Sequence, residues 1–176
     1  MLRLLANIAL FQLGWFVCIW QGGIAAVLVT IVVLILHFCF LVKRESYRVE
    51  AVLLIKVLAV GFVVETIAIQ AGALEPIIGH DNLAFSAQLP PIWLLCLWVL
   101  FATTLLHGLL WLREKLLLCS IVAAVSAPSS YYAGSLLSPY MALGESLIFS
   151  LAVIGLLWAA ALPLIMRFFV NRPESL

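Results

Sequence analysis

Residues 24–42 read IAAVLVTIVVLILHFCFLV, an apolar run that contains no Asp, Glu, Lys or Arg. A membrane core about 30 Å thick is crossed by about 20 residues of α-helix, and this run has that length. A backbone surrounded by lipid has to satisfy its own hydrogen bonds, so a run of this kind is expected to be helical. The stretch therefore predicts a transmembrane helix.

Further apolar segments lie on both sides of this run and extend from one end of the chain to the other. The six predicted helices cover residues 4–20, 24–42, 51–73, 92–111, 116–136 and 143–166. The first two are joined at Gln21, Gly22 and Gly23, where glycine suits a tight reversal. The sequence thus predicts an all-α, polytopic bundle of six transmembrane helices. Residues 1–176 are expected to form a single integral membrane domain.

The composition agrees with a membrane protein and excludes several other classes. Hydrophobic residues make up 66% of the chain and the mean hydropathy is +1.27, well above the roughly 45–50% apolar content of soluble domains. The net charge of +1 comes from residues between the apolar segments, so no nucleic-acid partner is expected. The chain shows no nucleotide-binding loop, G-x-S-x-G or H-E-x-x-H motif, which disfavours soluble enzyme classes. No cofactor is predicted.

The basic residues predict an orientation, because cytoplasmic loops retain Lys and Arg. Basic residues precede helix one, follow helix six, and occupy the loops between helices two and three and between helices four and five; they are Arg3, Lys43, Arg44, Arg48, Arg113, Lys115, Arg167 and Arg172. The loop 74–91 carries only Glu75 and Asp81 as full charges. Both termini are therefore expected in the cytoplasm.

Polar side chains inside predicted spans are the candidate site residues, because they are costly in lipid and usually face the bundle interior or a wet cavity. We take as candidates for ligand binding Glu65, Thr103, Thr104, His107, Ser129, Ser130, Tyr131, His37 and Lys56. No catalytic residue is predicted.

Helical spacing indicates which candidates share a face. Thr103 and Thr104 are four and three positions before His107, so helix four presents a hydroxyl and imidazole edge to the interior. Lys56 and Glu65 are nine positions apart and lie on opposite sides of helix three. Glu65 therefore needs a partner from another helix, either in a functional site or as a structural hydrogen bond. Lys56 needs one too, unless its side chain extends to the cytoplasmic interface.

His37 and His107 are expected at a similar depth in different helices and could meet. A shared metal would need a third ligand, and no Asp, Cys-rich motif or H-x-x-x-H spacing supplies one. The four cysteines fall in four different predicted helices without a C-x-x-C spacing. No metal site is predicted. Two interpretations stay open: a cluster of His, Lys and Thr that contacts a lipid head group or an acidic solute, and plain interhelical hydrogen bonding.

Small residues at four-residue spacing predict close packing of helices five and six. They are Ser126, Ser130 and Gly134 on helix five, and Gly155, Ala159 and Pro163 on helix six.

Two stretches carry a resemblance to a known family. Residues 90–98 read PPIWLLCLW and continue through Phe101-Ala102-Thr103-Thr104-Leu105 to His107, and residues 127–134 read APSSYYAG. They resemble a family of uncharacterised bacterial inner-membrane proteins, classed only as a domain of unknown function. The second stretch is similar to that family's Gly-Pro-Leu-Ser/Ala-Tyr motif, from which Ala127 and Ser129 depart. The resemblance implies a bacterial inner membrane and a connection with fatty-acid or phospholipid modification or envelope stress.

Three functions are consistent with these features. The leading hypothesis is a protein that holds a lipid or another amphipathic molecule between its helices, as an accessory to lipid modification. A small transporter or the substrate-capture subunit of an uptake system is the first alternative, since six helices with both ends inside also describe such subunits. A structural member of an envelope complex, bound to another membrane protein, is the second alternative. Beyond the lipid bilayer, the sequence does not identify a partner.

Overall fold

The computed structural model describes residues 2–77 and 86–170. Its six α-helices are α1 (Leu2–Gln21), α2 (Gly23–Leu36), α3 (Tyr47–Gln70), α4 (Ile92–Leu105), α5 (Leu116–Leu137) and α6 (Leu147–Phe168). A π-helical turn, His37–Leu41, extends α2, and 3₁₀ turns cover Arg44–Ser46 and Leu110–Leu112. Five of the helical segments are long and apolar enough to cross a membrane. The predicted all-α, six-helix bundle is confirmed.

Two short strands pair at one end of the bundle. β1 (Leu74–Pro76) follows α3, and β2 (Met141–Leu143) precedes α6. They are antiparallel, with Leu74 opposite Leu143 and Pro76 opposite Met141. We call this end the strand end. The pairing joins two loops that are far apart in sequence.

The opposite end holds the described basic loops, and we call it the basic end. Here the 3₁₀ turn Leu110–Leu112 lies next to the end of α6, and Arg113 Nε donates to the backbone oxygen of Val170 at 2.5 Å. Lys56 Nζ lies 5.2 Å from the ring centroid of Phe169, directly after α6. These contacts bring together chain segments that are distant in sequence.

The connection between α1 and α2 is as tight as the sequence predicts. Gly22 and Gly23 have φ angles of 54° and 44°, in the left-handed region that side chains with a Cβ atom disfavour. A Cβ atom on Gly22 would also lie 2.7 Å from the Tyr140 ring. Glycine is therefore required at Gly22 both by backbone conformation and by space.

The helices pack as α1 on α2 and α4, α3 on α4 and α6, and α5 on α6. The α5–α6 pair makes the most extensive contact, and Gly155 allows α6 to approach Ala124 and Pro128 of α5. Ser120 Oγ also donates to Ala159 O at 2.8 Å. This confirms the predicted packing face on α6. Ser126 and Ser130, in contrast, border a cavity described below.

The interior contains two apolar clusters. One surrounds Trp98 and joins α3, α4 and α6, and the other surrounds Trp93 and joins α1, α2 and α4. Large apolar side chains also cover the outside: Leu117, Ile148 and Leu156 are 78%, 83% and 73% exposed. An outer surface of this kind is suited to lipid.

Helix four is shorter than the predicted span 92–111. The α-helix ends at Leu105, and residues 106–109 form turns before the 3₁₀ segment. The hydroxyls of Thr103 and Thr104 donate to the oxygens of Leu100 and Phe101, both at 2.7 Å. Such bonds compete with helical ones for the backbone, and Gly108 follows directly with a low helix propensity. The local sequence therefore favours a break that hydropathy does not reveal.

Helices three and six differ from their predicted bounds at their starts. Helix three was predicted from residue 51, but α3 begins at Tyr47, so Glu50 belongs to its first turn. An acidic residue there is favoured by the helix dipole. Helix six was predicted from residue 143, but residues 141–143 form β2, and Ser146 caps α6 by accepting from Phe149 N at 3.4 Å.

Candidate functional site

A cavity of about 370 Å³ lies among α1, α4, α5 and α6. Most of its wall is apolar or aromatic, from Phe11 and Trp15 on α1 to Trp158 on α6. Its polar lining consists mainly of Gln12, Thr104, Ser126, Ser130 and Tyr131. The volume falls within the roughly 300–1,000 Å³ typical of small-molecule sites, which are likewise mostly apolar with a few polar groups.

The cavity opens sideways between α1 and α5. These helices make few contacts with each other, and Ile19 meets Gly134 near the strand end. Gln12, Ser126 and Ser130 line the cavity and are also exposed. Since these residues belong to membrane-spanning helices, the opening faces the region that lipid would occupy. Polar side chains are costly there unless a polar group or water meets them.

Glu65 lies behind the wall of this cavity and is fully buried. Its Oε1 accepts hydrogen bonds from Trp98 Nε1 at 2.7 Å and from the Tyr131 hydroxyl. The predicted partners from other helices are therefore found on α4 and α5. Oε2 has no hydrogen-bond partner among the described residues. Trp98 and Tyr131 line the cavity, so Glu65 positions two lining side chains without lining the cavity itself.

The backbone of α3 makes room for this arrangement. Gly61 lies one helical turn before Glu65, and a Cβ atom on Gly61 would come within 2.3 Å of the Trp98 ring. On its other side, Trp98 stacks on Trp158 with 4.4 Å between ring centroids and an interplanar angle of 20°. The indole is therefore held between a glycine and a second aromatic ring, with its N–H directed at Glu65.

A second polar cluster lies closer to the basic end and consists of His37, Glu50 and His107. His37 Nε2 is 3.3 Å from Glu50 Oε2, and His107 Nε2 is 2.9 Å from Glu50 Oε1. The two imidazole rings are 5.0 Å apart, edge to face. In the tautomers that carry hydrogen on Nε2, each ring donates to a different carboxylate oxygen. We call these three residues the acid–histidine cluster.

Three irregular or terminal elements place these side chains. His37 opens the π-helical turn, whose end is closed by Val42 N donating to His37 O at 3.1 Å. Glu50 lies in the first turn of α3, and His107 lies in the turn that follows α4. Asn7 stabilises the end of α4, because its Nδ2 donates to Thr103 O at 3.0 Å. π-Helical turns within α-helices frequently occur at functional sites.

The structure divides the predicted site residues into separate groups. Thr104, Ser130 and Tyr131 line the cavity, Glu65 supports it, and His37 and His107 meet through Glu50. Thr103 is buried, and its backbone oxygen accepts from Asn7. Ser129 is exposed and donates to Val125 O at 2.8 Å, and Lys56 is exposed near Phe169. Ser129 and Lys56 thus belong to neither group. The third histidine of the chain, His80, and its neighbour Asp81 belong to the loop 74–91 and lie outside the described residues.

Sequence reasoning missed Glu50, Trp98 and Trp158. The predicted helix bounds leave Glu50 in a charged loop, yet Glu50 precedes buried Val57 by seven positions and so shares the buried face of α3. Extending that face backward by one heptad would have found it. The tryptophans carry no comparable signal, because an aromatic residue in an apolar helix is usually only part of the core.

Five helices of spanning length and apolar composition indicate a multi-pass membrane protein. No curated protein and no solved structure matches the chain at a significant level. The chain belongs to the family described as "Protein of unknown function (DUF2878)", whose model matches residues 4–164. The predicted membership in a family of unknown function is thereby confirmed.

Proposed function

We propose that this protein binds one amphipathic molecule, such as a fatty acid or a single-chain lipid, in the cavity among α1, α4, α5 and α6. The observation that carries the proposal is the lateral opening between α1 and α5. An apolar ligand in lipid reaches such an opening without crossing water.

The distribution of polar groups supports an amphipathic ligand in particular. Phe11, Trp15 and Phe101 offer apolar surface to a hydrocarbon chain. Gln12, Ser126 and Ser130 border the opening and provide hydrogen-bonding groups for a polar end. A purely apolar occupant would leave these groups unpaired, which is unfavourable in a membrane.

The family resemblance and the basic loops suggest where the protein acts and how it is oriented. The protein would act in a bacterial inner membrane with both termini in the cytoplasm. There it would hold an intermediate or product of fatty-acid or phospholipid modification.

Bromopalmitate provides a direct test, because bromine quenches the fluorescence of nearby tryptophans. Trp15, Trp98 and Trp158 all line the cavity. Titration of the detergent-purified protein with bromopalmitate should give saturable quenching, and unlabelled palmitate should reverse it.

Ser126→Phe and Ser129→Phe form a matched pair for this experiment. Both introduce the same side chain on α5, but only Ser126 lines the cavity. Ser126→Phe should raise the bromopalmitate concentration at half-maximal quenching by at least about tenfold, since the new ring fills space that the ligand needs. Ser129→Phe should behave like the wild type. Absence of saturable quenching in the wild type, or equal behaviour of the two variants, would refute the proposal.

A further inference from the structure

The acid–histidine cluster has the composition of a metal site. His37, Glu50 and His107 each offer one ligand atom, and these atoms lie within 4.8 Å of one another. His37 and Glu50 are 1% and 3% exposed. The sequence had offered no third ligand for the two histidines, and Glu50 supplies it.

We propose that His37, Glu50 and His107 bind a divalent transition-metal ion, with zinc as the simplest probe. Two imidazoles and one carboxylate form a common ligand set for catalytic zinc and, as a facial triad, for non-haem Fe²⁺. Mg²⁺ and Ca²⁺ prefer oxygen ligands and are disfavoured by two imidazoles. Three protein ligands leave at least one coordination position for water or another small ligand.

The charge environment supports a bound cation. Glu50 is a buried carboxylate, and its salt-bridge partners within residues 2–77 and 86–170 are the two imidazoles. A buried carboxylate is stabilised by positive charge and by hydrogen bonds, and neutral imidazoles supply only the hydrogen bonds. A divalent ion supplies this charge and binds the Nε2 lone pairs, with each ring then carrying its proton on Nδ1.

The ligands are arranged so that the ion can enter and be held. The side chain of His107 is 21% exposed, whereas His37 and Glu50 are held inside the bundle, so entry past His107 is the direct route. His107 lies between Thr104 and Gly108 in sequence, and both of these residues line the cavity. The metal would therefore lie close to one end of the cavity. The metal proposal stands independently of whether a lipid binds there.

Metal content and affinity can be measured on the full chain in detergent. After treatment with a chelator and its removal, titration with Zn²⁺ should give one ion per chain. Glu50→Gln and His107→Ala each remove a ligand and should weaken binding by at least about 100-fold, since even outer-shell changes cost about 10–100-fold. His80→Ala removes the remaining histidine of the chain and should leave the stoichiometry and affinity unchanged.

Substitution with Co²⁺ distinguishes metal binding at the acid–histidine cluster from metal binding by cysteine. A site with nitrogen and oxygen ligands gives visible d–d bands without the intense near-ultraviolet band of thiolate coordination. The thermal unfolding midpoint without metal serves as the folding control for each variant, and Zn²⁺ should raise it in the wild type but not in His107→Ala. The proposal is overturned if the wild type binds no zinc, if Glu50→Gln and His107→Ala bind it like the wild type, or if Co²⁺ shows thiolate coordination.

Discussion

The environment of Glu65 explains how an acidic residue is retained in an apolar helix. An indole N–H and a phenol O–H from two other helices converge on one carboxylate oxygen. Removal of the Glu65 carboxylate leaves both donors unsatisfied, at a cost of about 1–3 kcal/mol for each buried group. Glu65 therefore connects α3, α4 and α5 through a single atom.

Glu65→Leu should consequently destabilise the protein much more than Glu65→Gln. The amide oxygen of Gln can still accept from Trp98 and Tyr131, whereas Leu offers no acceptor. We expect Leu to lower the free energy of unfolding by about 2 kcal/mol or more and Gln to cost about half as much or less. Unfolding in detergent, followed by circular dichroism, would measure both. Equal losses would show that the two hydrogen bonds contribute nothing.

Gly61 has an equally specific role, because its missing side chain provides the space for Trp98. Gly61→Ala places a Cβ atom 2.3 Å from the indole and should destabilise by about 1–3 kcal/mol through overpacking. Gly108→Ala is the matched control, since its Cβ would meet no atom nearer than 3.7 Å. If Gly108→Ala lost as much stability as Gly61→Ala, this explanation would be contradicted. Thermal unfolding of the two variants in the same detergent makes the comparison.

The broken end of helix four shows how polar side chains make an irregular backbone acceptable inside an apolar bundle. Where α4 stops, Thr103 O accepts from Asn7 of α1 in place of a helical N–H. Backbone groups at membrane depth have to be satisfied by protein or water. The position of His107 thus depends on a side chain from the first helix.

Asn7→Leu should increase local opening of the backbone in the turn that follows α4. Loss of the Asn7 hydrogen bond leaves a buried carbonyl unsatisfied and should cost about 1–3 kcal/mol. Amide hydrogen exchange should become faster at residues 106–109 and stay unchanged in α6. Unchanged exchange in both regions would show that Asn7 does not hold the break in place.

Hydropathy was sufficient to predict the helices but not their interruptions. The runs around α2 and α6 are long and apolar, so their existence followed from length alone. The break after Leu105 arises from two threonine hydroxyls, a glycine and a contact with Asn7, and only the glycine and the hydroxyls are local. The π-helical turn at His37 and the buried position of Glu50 depend on packing between α2, α3 and the turn after α4.

Residues of the candidate site could be predicted from the sequence only where the residue type by itself indicated a site. Glu65 and the two histidines were recognisable because ionisable groups are rare in apolar spans. The cavity was not predictable, since it arises from the separation of α1 and α5 along much of their length. Ser129 and Ser130 show the same limit: they are adjacent in sequence, yet only Ser130 lines the cavity.

The arrangement of charges around the whole molecule predicts its orientation in the membrane. Single cysteines placed at Arg44 and Arg113, in a chain whose four native cysteines are alanine, should resist a membrane-impermeant thiol reagent applied to intact cells. A cysteine at Glu145, near β2, should react. The opposite pattern would reverse the inferred topology. Reaction after permeabilisation confirms that each position is reachable.

The pairing of β1 with β2 also constrains how this protein is made. Leu74–Pro76 is synthesised before Met141–Leu143, with α4 and α5 between them in the chain. During that interval the partner strand of β1 has not yet been made. Chain order therefore requires that the pairing of β1 with β2 forms only after α5 has been synthesised, and it then connects the end of α3 to the start of α6.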